Sequence, residues 1–291
     1  MPERDLALLL DAAEAAGRLA LHYRETGFET REKPGLGPVT DADIAVDDML
    51  RAELRAARPD YGWLSEETPD SPDRLGDRLA ATRVFLIDPI DGTRDFIGGG
   101  RSWGPSLAIA EAGRLVAGVV HLPALGRSYA AARGQGATRD GMPLRFEAYD
   151  GSAAGAPLTA GDRAEVTGAR VLASATALAP AAWTGPPPPL TRSFRPSLAY
   201  RLCLVAEGAF DATLTFRDSW EWDIAAGALI VMEAGARASD SFGAPLRFNG
   251  PSGLLPGLIA AGPRLHAALV GQRPRPGATP AGQPSDPAAS A

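Results

Sequence analysis

Two aspartates end an apolar run that reads Phe85-Leu86-Ile87-Asp88-Pro89-Ile90-Asp91-Gly92-Thr93. Asp88 lies where a buried strand would end and Asp91 follows three residues later, so both carboxylates can converge on one point. Gly92 and Thr93 would open the next helix with free backbone amides, which bind anions. Carboxylate oxygens bind hard cations. The segment therefore predicts a metal site beside an anion site, with an ordinary Asp-Pro-x-Asp-Gly turn left open as the alternative.

Three further carboxylate groups share the chain with this segment. They are Trp63-Leu64-Ser65-Glu66-Glu67, Trp220-Glu221-Trp222-Asp223-Ile224-Ala225-Ala226-Gly227 and Val39-Thr40-Asp41-Ala42-Asp43. A Glu-Glu pair, an Asp-Pro-(Ile/Leu)-Asp-Gly-Thr segment and a Trp-Asp-x-Ala-Ala-Gly segment, in this order and spacing, resemble the inositol monophosphatase superfamily. That superfamily consists of magnesium-dependent, lithium-sensitive phosphomonoesterases. Its chemistry is attack of water on phosphorus, assisted by two cations about 4 Å apart.

The resemblance implies a set of metal ligands. Glu66, Asp88 and the carbonyl of Ile90 would bind a first Mg²⁺, and Asp88, Asp91 and Asp223 would share a second. A third, weaker Mg²⁺ near Glu66 would make two or three per active site. Asp223 is also compatible with a plain helix N-cap.

The resemblance also implies catalytic and substrate-binding residues. Thr93 and Asp43 would orient the attacking water, with Glu66 counted beside them as catalytic. A helix cap is the alternative for Asp43. The other expected contacts are the amides of Gly92 and Thr93 to the phosphate, Lys33 near the metals, and Ser197 in place of a Gly-Ser or Gly-Thr substrate loop.

Two departures from the inositol phosphatase pattern bear on the substrate. Arg94-Asp95-Phe96 is similar to the Lys-Glu-Phe of bacterial 3′(2′),5′-bisphosphate nucleotidases, and Phe216 stands where an inositol phosphatase has a Glu that binds ring hydroxyls. An aromatic ring suits a base better than a polyol. The favoured function is therefore hydrolysis of adenosine 3′,5′-bisphosphate. Inositol-1-monophosphatase, histidinol or sugar phosphatase, and a non-catalytic regulatory protein on the same fold stay open.

The composition of the chain argues against several other classes of protein. The 291 residues carry a formal net charge of −6, which argues against sequence-independent binding of a nucleic acid polymer. Cys203 is the single cysteine, so a disulfide within the chain is excluded and a reducing, cytoplasmic location fits. No apolar run approaches the roughly 20 residues that span a bilayer. The expected partner is a small phosphorylated substrate, and a homodimer is left open.

The resemblance implies a layered αβαβα sandwich, of α+β or α/β class. We expect an N-terminal α+β domain over residues 1–150, a C-terminal α/β domain over 151–271, and a disordered tail over 272–291. Hydrophobic periodicity predicts a first helix over 5–24, a second ended by Pro59, and a buried helix over 223–235. Strands are predicted over 61–65 and 83–88, separated by a polar loop over 68–77.

Overall fold

The computed structural model describes residues 2–33, 37–68, 71–146 and 162–274. The elements of the first three ranges are α1 (Pro2–Thr26), β1 (Thr30–Lys33), β2 (Gly37–Thr40), α2 (Asp41–Ala57), β3 (Gly62–Ser65), α3 (Pro72–Ala80), β4 (Arg83–Asp91), α4 (Thr93–Ile97), β5 (Gly104–Glu111), β6 (Arg114–Leu122), β7 (Arg127–Ala132), β8 (Ala137–Arg139) and β9 (Met142–Leu144). Those of the last range are β10 (Arg170–Ala173), β11 (Thr191–Ser193), α5 (Leu198–Ala206), β12 (Ala212–Thr215), β13 (Ser219–Trp220), α6 (Glu221–Glu233), β14 (Arg237–Ser239), β15 (Leu254–Leu255), β16 (Leu258–Ala261) and α7 (Pro263–Val270).

Strands β3 to β9 form one sheet in chain order, in which β3 and β4 are parallel and each later neighbour is antiparallel. Side chains alternate across this sheet, as the period of a strand requires. Phe85 and Ile87 pack with α1 and α2, whereas Val84 and Leu86 pack with α5 and α6. Both faces are therefore buried, which explains why β4 is apolar from Val84 to Ile87.

A second sheet has the strand order β11-β10-β12-β16-β14. Leu258 and Ala260 of β16 join the core formed by α5 and α6, and Ile259 and Ala261 face a separate core with α7. The layers run from α1 and α2 through the first sheet, α5 and α6, and the second sheet to α7. This order confirms the predicted αβαβα sandwich.

Two local predictions were wrong. The predicted loop over 68–77 contains α3, where Ser71 accepts a hydrogen bond from the Arg74 amide and Pro72 takes the first helical position. That Ser-Pro pair is a helix start signal that the sequence carries. Strand β4 also continues past Asp88 to Asp91 instead of stopping at the first aspartate.

The predicted domain boundary at residues 150 and 151 lies outside the described residues, so the two-domain division stays a prediction. The tail predicted from 272 is described only as far as residue 274. Within the described ranges, no helix is long and apolar enough to cross a membrane.

Candidate active site

An irregularity in β4 brings Asp88 and Asp91 to the same side of the sheet. Asp88 pairs with Ser106 and Asp91 with Gly104, so three steps along β4 match two steps along β5. Such a bulge adds one residue and reverses the alternation beyond it. Ile90 consequently packs into the core with α1 and α2, while Asp88 and Asp91 both line one cavity.

That cavity has a volume of about 390 Å³, and its lining residues fall within 38–94 and 174–223. We call it the catalytic cavity. Its predicted site residues are Glu66, Asp88, Ile90, Asp91, Gly92, Thr93, Arg94 and Asp223. Gly92 has a φ of 97° and begins α4, as the sequence predicted. A β-carbon there would lie 2.8 Å from the Ser102 carbonyl oxygen, so a larger residue would force the turn open.

Acidic groups crowd the catalytic cavity. Burial, followed by repulsion from neighbouring carboxylates, raises the pKa values of Asp88 and Asp223 well above their usual range. Burial raises the pKa of Glu66 to about 7, although Lys33 opposes the shift. Burial also raises the pKa of Asp91, against the lowering effect of its hydrogen bond from Ser197. The ionised carboxylates therefore need a countercharge.

A divalent cation would supply that countercharge. Among the described residues, no three Asp, Glu, His or Cys side chains already stand together as a complete metal-binding group. The donors are nevertheless oxygen atoms of buried acids around one cavity, as magnesium prefers. A cation that drew Glu66, Asp88, Asp91 and Asp223 together would also relieve their mutual repulsion. The residues present therefore fit the metal.

Asp91 is held by the first turn of α5, more than a hundred residues away in sequence. Its Oδ2 accepts hydrogen bonds from Ser197 Oγ at 2.7 Å and the Ala199 amide at 2.6 Å. The Leu198 amide donates to Oδ1 at 3.3 Å. Ser197 is buried and does not line the catalytic cavity. In this structure its hydroxyl positions Asp91, and its role as a substrate contact stays a prediction.

The predicted pair of Thr93 and Asp43 is in contact. Thr93 Oγ1 lies 3.3 Å from Asp43 Oδ1 and 3.1 Å from the Ile90 carbonyl oxygen. Asp43 Oδ2 accepts hydrogen bonds from the amide and the hydroxyl of Thr40, which is the N-cap of α2. Asp43 thus caps the helix with one oxygen and meets Thr93 with the other, so the cap alternative holds without excluding the pair.

Two other predicted residues lie beside the carboxylates. Lys33 Nζ is 2.5 Å from Glu67 Oε1 and 3.6 Å from Glu66 Oε1, so it offsets charge at the glutamate pair. Lys33 is not part of the wall of the catalytic cavity. Asp223 is the third residue of α6, whose N-cap is Trp220, so the N-cap alternative for Asp223 is wrong.

The structure places Phe216 outside the wall of the catalytic cavity. Thr215 and Arg217, the residues on either side of it, line the cavity, whereas Phe216 does not. Its ring lies 5.4 Å from that of Trp183, and the Arg273 guanidinium lies 3.5 Å above it. Phe216 therefore packs in the outer core and offers no surface to a substrate in this cavity.

Sequence reasoning missed an aromatic residue that does line the cavity. Phe194 is 48% exposed, and the Arg201 guanidinium lies 4.3 Å from its ring centre. Arg201 is buried, donates to the carbonyl oxygens of Arg195 and Pro196, and has its pKa lowered to about 10 by burial. The only sequence signal was Arg195-Pro196 in place of the expected glycine loop.

Comparisons with known proteins agree with this fold. The model of the inositol monophosphatase family matches residues 2–275. A histidinol-phosphatase from Mycobacterium tuberculosis is 35% identical over 81% of this chain and 87% of its own length. A 3′-phosphoadenosine 5′-phosphate phosphatase from Mycobacterium leprae is 34% identical over 92% of both chains. The extragenic suppressor protein suhB from Bartonella henselae has a similar fold, with a TM-score of 0.71, 23% identity, and coverage of 92% of this chain and 97% of its own.

A carboxylate-lined cavity between the layers of an αβαβα sandwich defines the class, a phosphoric monoester hydrolase. The chain belongs to the inositol monophosphatase family. Members of this family are in general metal-dependent and act on small phosphorylated molecules.

Proposed function

We propose that this protein is a magnesium-dependent, lithium-sensitive 3′(2′),5′-bisphosphate nucleotidase that hydrolyses adenosine 3′,5′-bisphosphate to AMP and phosphate. The observation that carries the proposal is that acids, arginines and an exposed aromatic ring line one cavity. The relatives support the phosphatase reaction, and the lining residues support the choice of substrate.

Each acid has a proposed task. Glu66, Asp88, the Ile90 carbonyl, Asp91 and Asp223 hold two or three Mg²⁺ ions. Bound Mg²⁺ supplies charge neutralisation and lowers the pKa of water. Thr93 and Asp43 orient the attacking water through their hydrogen bond, and the backbone amides at Gly92 and Thr93 bind the phosphate.

The arginines support a substrate with a second anionic group. Arg94, Arg201 and Arg217 line the cavity together with the acids. One phosphate at the metals would leave Arg94 and Arg217 for another phosphate, which guanidinium groups bind well as planar donors, whereas Arg201 already donates to two backbone carbonyl oxygens. Inositol 1-phosphate has no second charge to offer them.

Phe194 supports a substrate with an aromatic ring. In this proposal the exposed ring of Phe194, instead of Phe216, contacts the base of the substrate. Stacking of a base on an aromatic ring contributes about 1–3 kcal/mol of binding free energy. The guanidinium of Arg201 holds the ring on one side, which leaves the exposed part of Phe194 for a ligand.

Histidinol phosphatase is the second candidate, because named relatives have that activity. Histidinol phosphate also contains an aromatic ring. Its amino group is a cation, however, and three arginines in the wall of the cavity disfavour it electrostatically. Adenosine 3′,5′-bisphosphate matches both the ring and the charge.

A panel of substrates tests the proposal. Phosphate release would be measured with adenosine 3′,5′-bisphosphate, histidinol phosphate and inositol 1-phosphate at equal Mg²⁺ concentration. We expect the highest kcat/KM for the bisphosphate, and inhibition by lithium. A higher kcat/KM for either of the other two would overturn the substrate assignment, and activity undiminished in excess EDTA would overturn the metal requirement.

A further inference from the structure

A second cavity, of about 190 Å³, lies between α2, the start of β3, and α3. None of its lining residues lines the catalytic cavity. The residues that matter here are Arg51, Arg55, Trp63, Thr68, Arg74 and Arg78. We call it the arginine cavity. Asp60 and Asp77 also line it, so the described residues of its wall carry four guanidinium groups and two carboxylates.

Two of the arginines stand one helical turn apart. Arg51 and Arg55 are i and i+4 neighbours on α2, a spacing at which like charges repel each other. Neither side chain forms a hydrogen bond or an ion pair with another residue in the described part of the chain. Arg78 and Arg74 already donate hydrogen bonds, to Asn249 and Ser71 respectively. Arg51 and Arg55 are therefore the cations that an anion would engage.

Trp63 adds a neutral hydrogen-bond donor to the same wall. The side chain is only 7% exposed, and its indole Nε1 is buried without a hydrogen-bond partner. Buried donors are normally paired, and each exception needs an explanation. An anionic hydrogen-bond acceptor bound in this cavity would give the buried N–H of Trp63 the partner that it lacks.

We propose that the arginine cavity binds a small tetrahedral oxyanion, phosphate or sulfate, between the guanidinium groups of Arg51 and Arg55. The indole N–H of Trp63 is its third donor. Cavities that hold whole cofactors or drug-sized ligands measure about 300–1,000 Å³, so this one is too small for a nucleotide. It has room for an anion of a few heavy atoms and some water.

Two hydrogen bonds to Asp47 connect the arginine cavity to the segment that carries the predicted metal ligand Glu66. Thr68, on its wall, donates a hydrogen bond to Asp47, which also accepts one from Ser65. Ser65 directly precedes the predicted metal ligand Glu66. The oxyanion would therefore bind next to the short strand that presents Glu66, outside the catalytic cavity.

Indole signals in ¹H–¹⁵N NMR spectra of the full chain test the proposal. The protein has five tryptophans, and Trp63→Phe identifies the signal of Trp63. Addition of phosphate or sulfate should shift that signal saturably, and chloride at equal ionic strength should not. Trp222 is an internal reference, because its Nε1 is also buried without a partner but Trp222 lines neither cavity. Binding at the catalytic cavity alone would leave the Trp63 signal in place and would overturn the proposal.

Charge variants complete the test. Arg51→Gln combined with Arg55→Gln should weaken oxyanion binding at least tenfold. Arg18→Gln, which removes an exposed arginine of α1, should leave it unchanged. If the double variant does not fold, Arg55→Gln alone serves, because Arg55 is exposed, and a weaker affinity is again expected. No saturable shift of Trp63, an equal shift with chloride, or unaltered affinity in the charge variants would overturn the proposal.

Discussion

Ser197 Oγ donates a hydrogen bond to Asp91 Oδ2 over 2.7 Å and accepts one from the Tyr200 amide over 2.9 Å. One hydroxyl therefore caps α5 and fixes a predicted metal ligand of β4. The backbone amides of Leu198 and Ala199 complete the contact. The α5 N-terminus, which favours negative charge, thus holds Asp91 in the orientation that a cation would use.

Ser197→Ala should affect both stability and catalysis. Loss of a serine N-cap costs about 1 kcal/mol of unfolding free energy. Loss of a partner that orients a metal ligand typically costs roughly 10- to 100-fold in metal affinity or activity. Chemical denaturation and a magnesium titration of phosphatase activity would measure the two effects. The matched control is Ser71→Ala, which removes the N-cap of α3 and should lower stability with kcat unchanged. Equal activity losses in both variants would contradict the role given to Ser197.

Asp91→Asn should lower the affinity for magnesium. The amide keeps the shape of the carboxylate but removes its charge. We expect activity to fall by more than about 100-fold, which is the largest loss typical for a residue that only orients a metal ligand. Activity measured over a range of Mg²⁺ concentrations would show a raised metal requirement. Asp95→Asn is the control, because Asp95 lies two residues into α4 beyond the cavity wall and accepts a hydrogen bond from the Ser102 amide. Wild-type magnesium dependence in Asp91→Asn would rule out its metal role.

Thr93→Ala should reduce kcat with little effect on metal affinity. If the hydroxyl orients water together with Asp43, its removal should cost about 10²-fold, the scale of a lost acid–base group. Calorimetry with magnesium and steady-state kinetics separate the two quantities. Thr93→Ser retains the hydroxyl and should recover most of the activity. A loss of metal binding in Thr93→Ala, with activity restored by extra magnesium, would show that the residue supports the metal instead.

Burial of His266 should make the fold less stable in mild acid. Burial, with a further contribution from Arg237, lowers the pKa of His266 in the folded chain. The unfolded chain therefore binds the proton more tightly, and stability falls as the pH drops through about 6.5 toward the lower folded value. His266→Gln should reduce the fall in Tm between pH 7.5 and pH 5, whereas His22→Gln, at an exposed position, should not. The same fall in His266→Gln and wild type would assign the acid sensitivity to other groups.

Local sequence patterns predicted most helices and strands. They did not predict the side-chain contacts between residues that are distant in the chain. The start of α4 and the buried α6 follow from apolar runs and turn residues near each other in the chain, whereas the bulge that extends β4 to Asp91 does not. The contact of Ser197 with Asp91 joins residues 106 positions apart, so no local pattern reports it. The position of Phe216 was equally inaccessible, because Phe216 follows the last residue of β12 and its packing on Trp183 and Arg273 joins residues distant in the chain.

The choice between Phe194 and Phe216 gives the sharpest test of substrate. Phe194 lines the catalytic cavity, whereas the ring of Phe216 packs on Trp183 and Arg273. If the base stacks on Phe194, Phe194→Ala should lower kcat/KM for adenosine 3′,5′-bisphosphate roughly ten- to a hundred-fold, the equivalent of about 1–3 kcal/mol. Inositol 1-phosphate should lose much less. Phe216→Ala removes a ring of the same size from the outer core, so it should lower the unfolding free energy and leave the ratio of the two kcat/KM values unchanged. A change of that ratio in Phe216→Ala, or equal losses for both substrates in Phe194→Ala, would show that Phe194 is not the surface on which the base stacks.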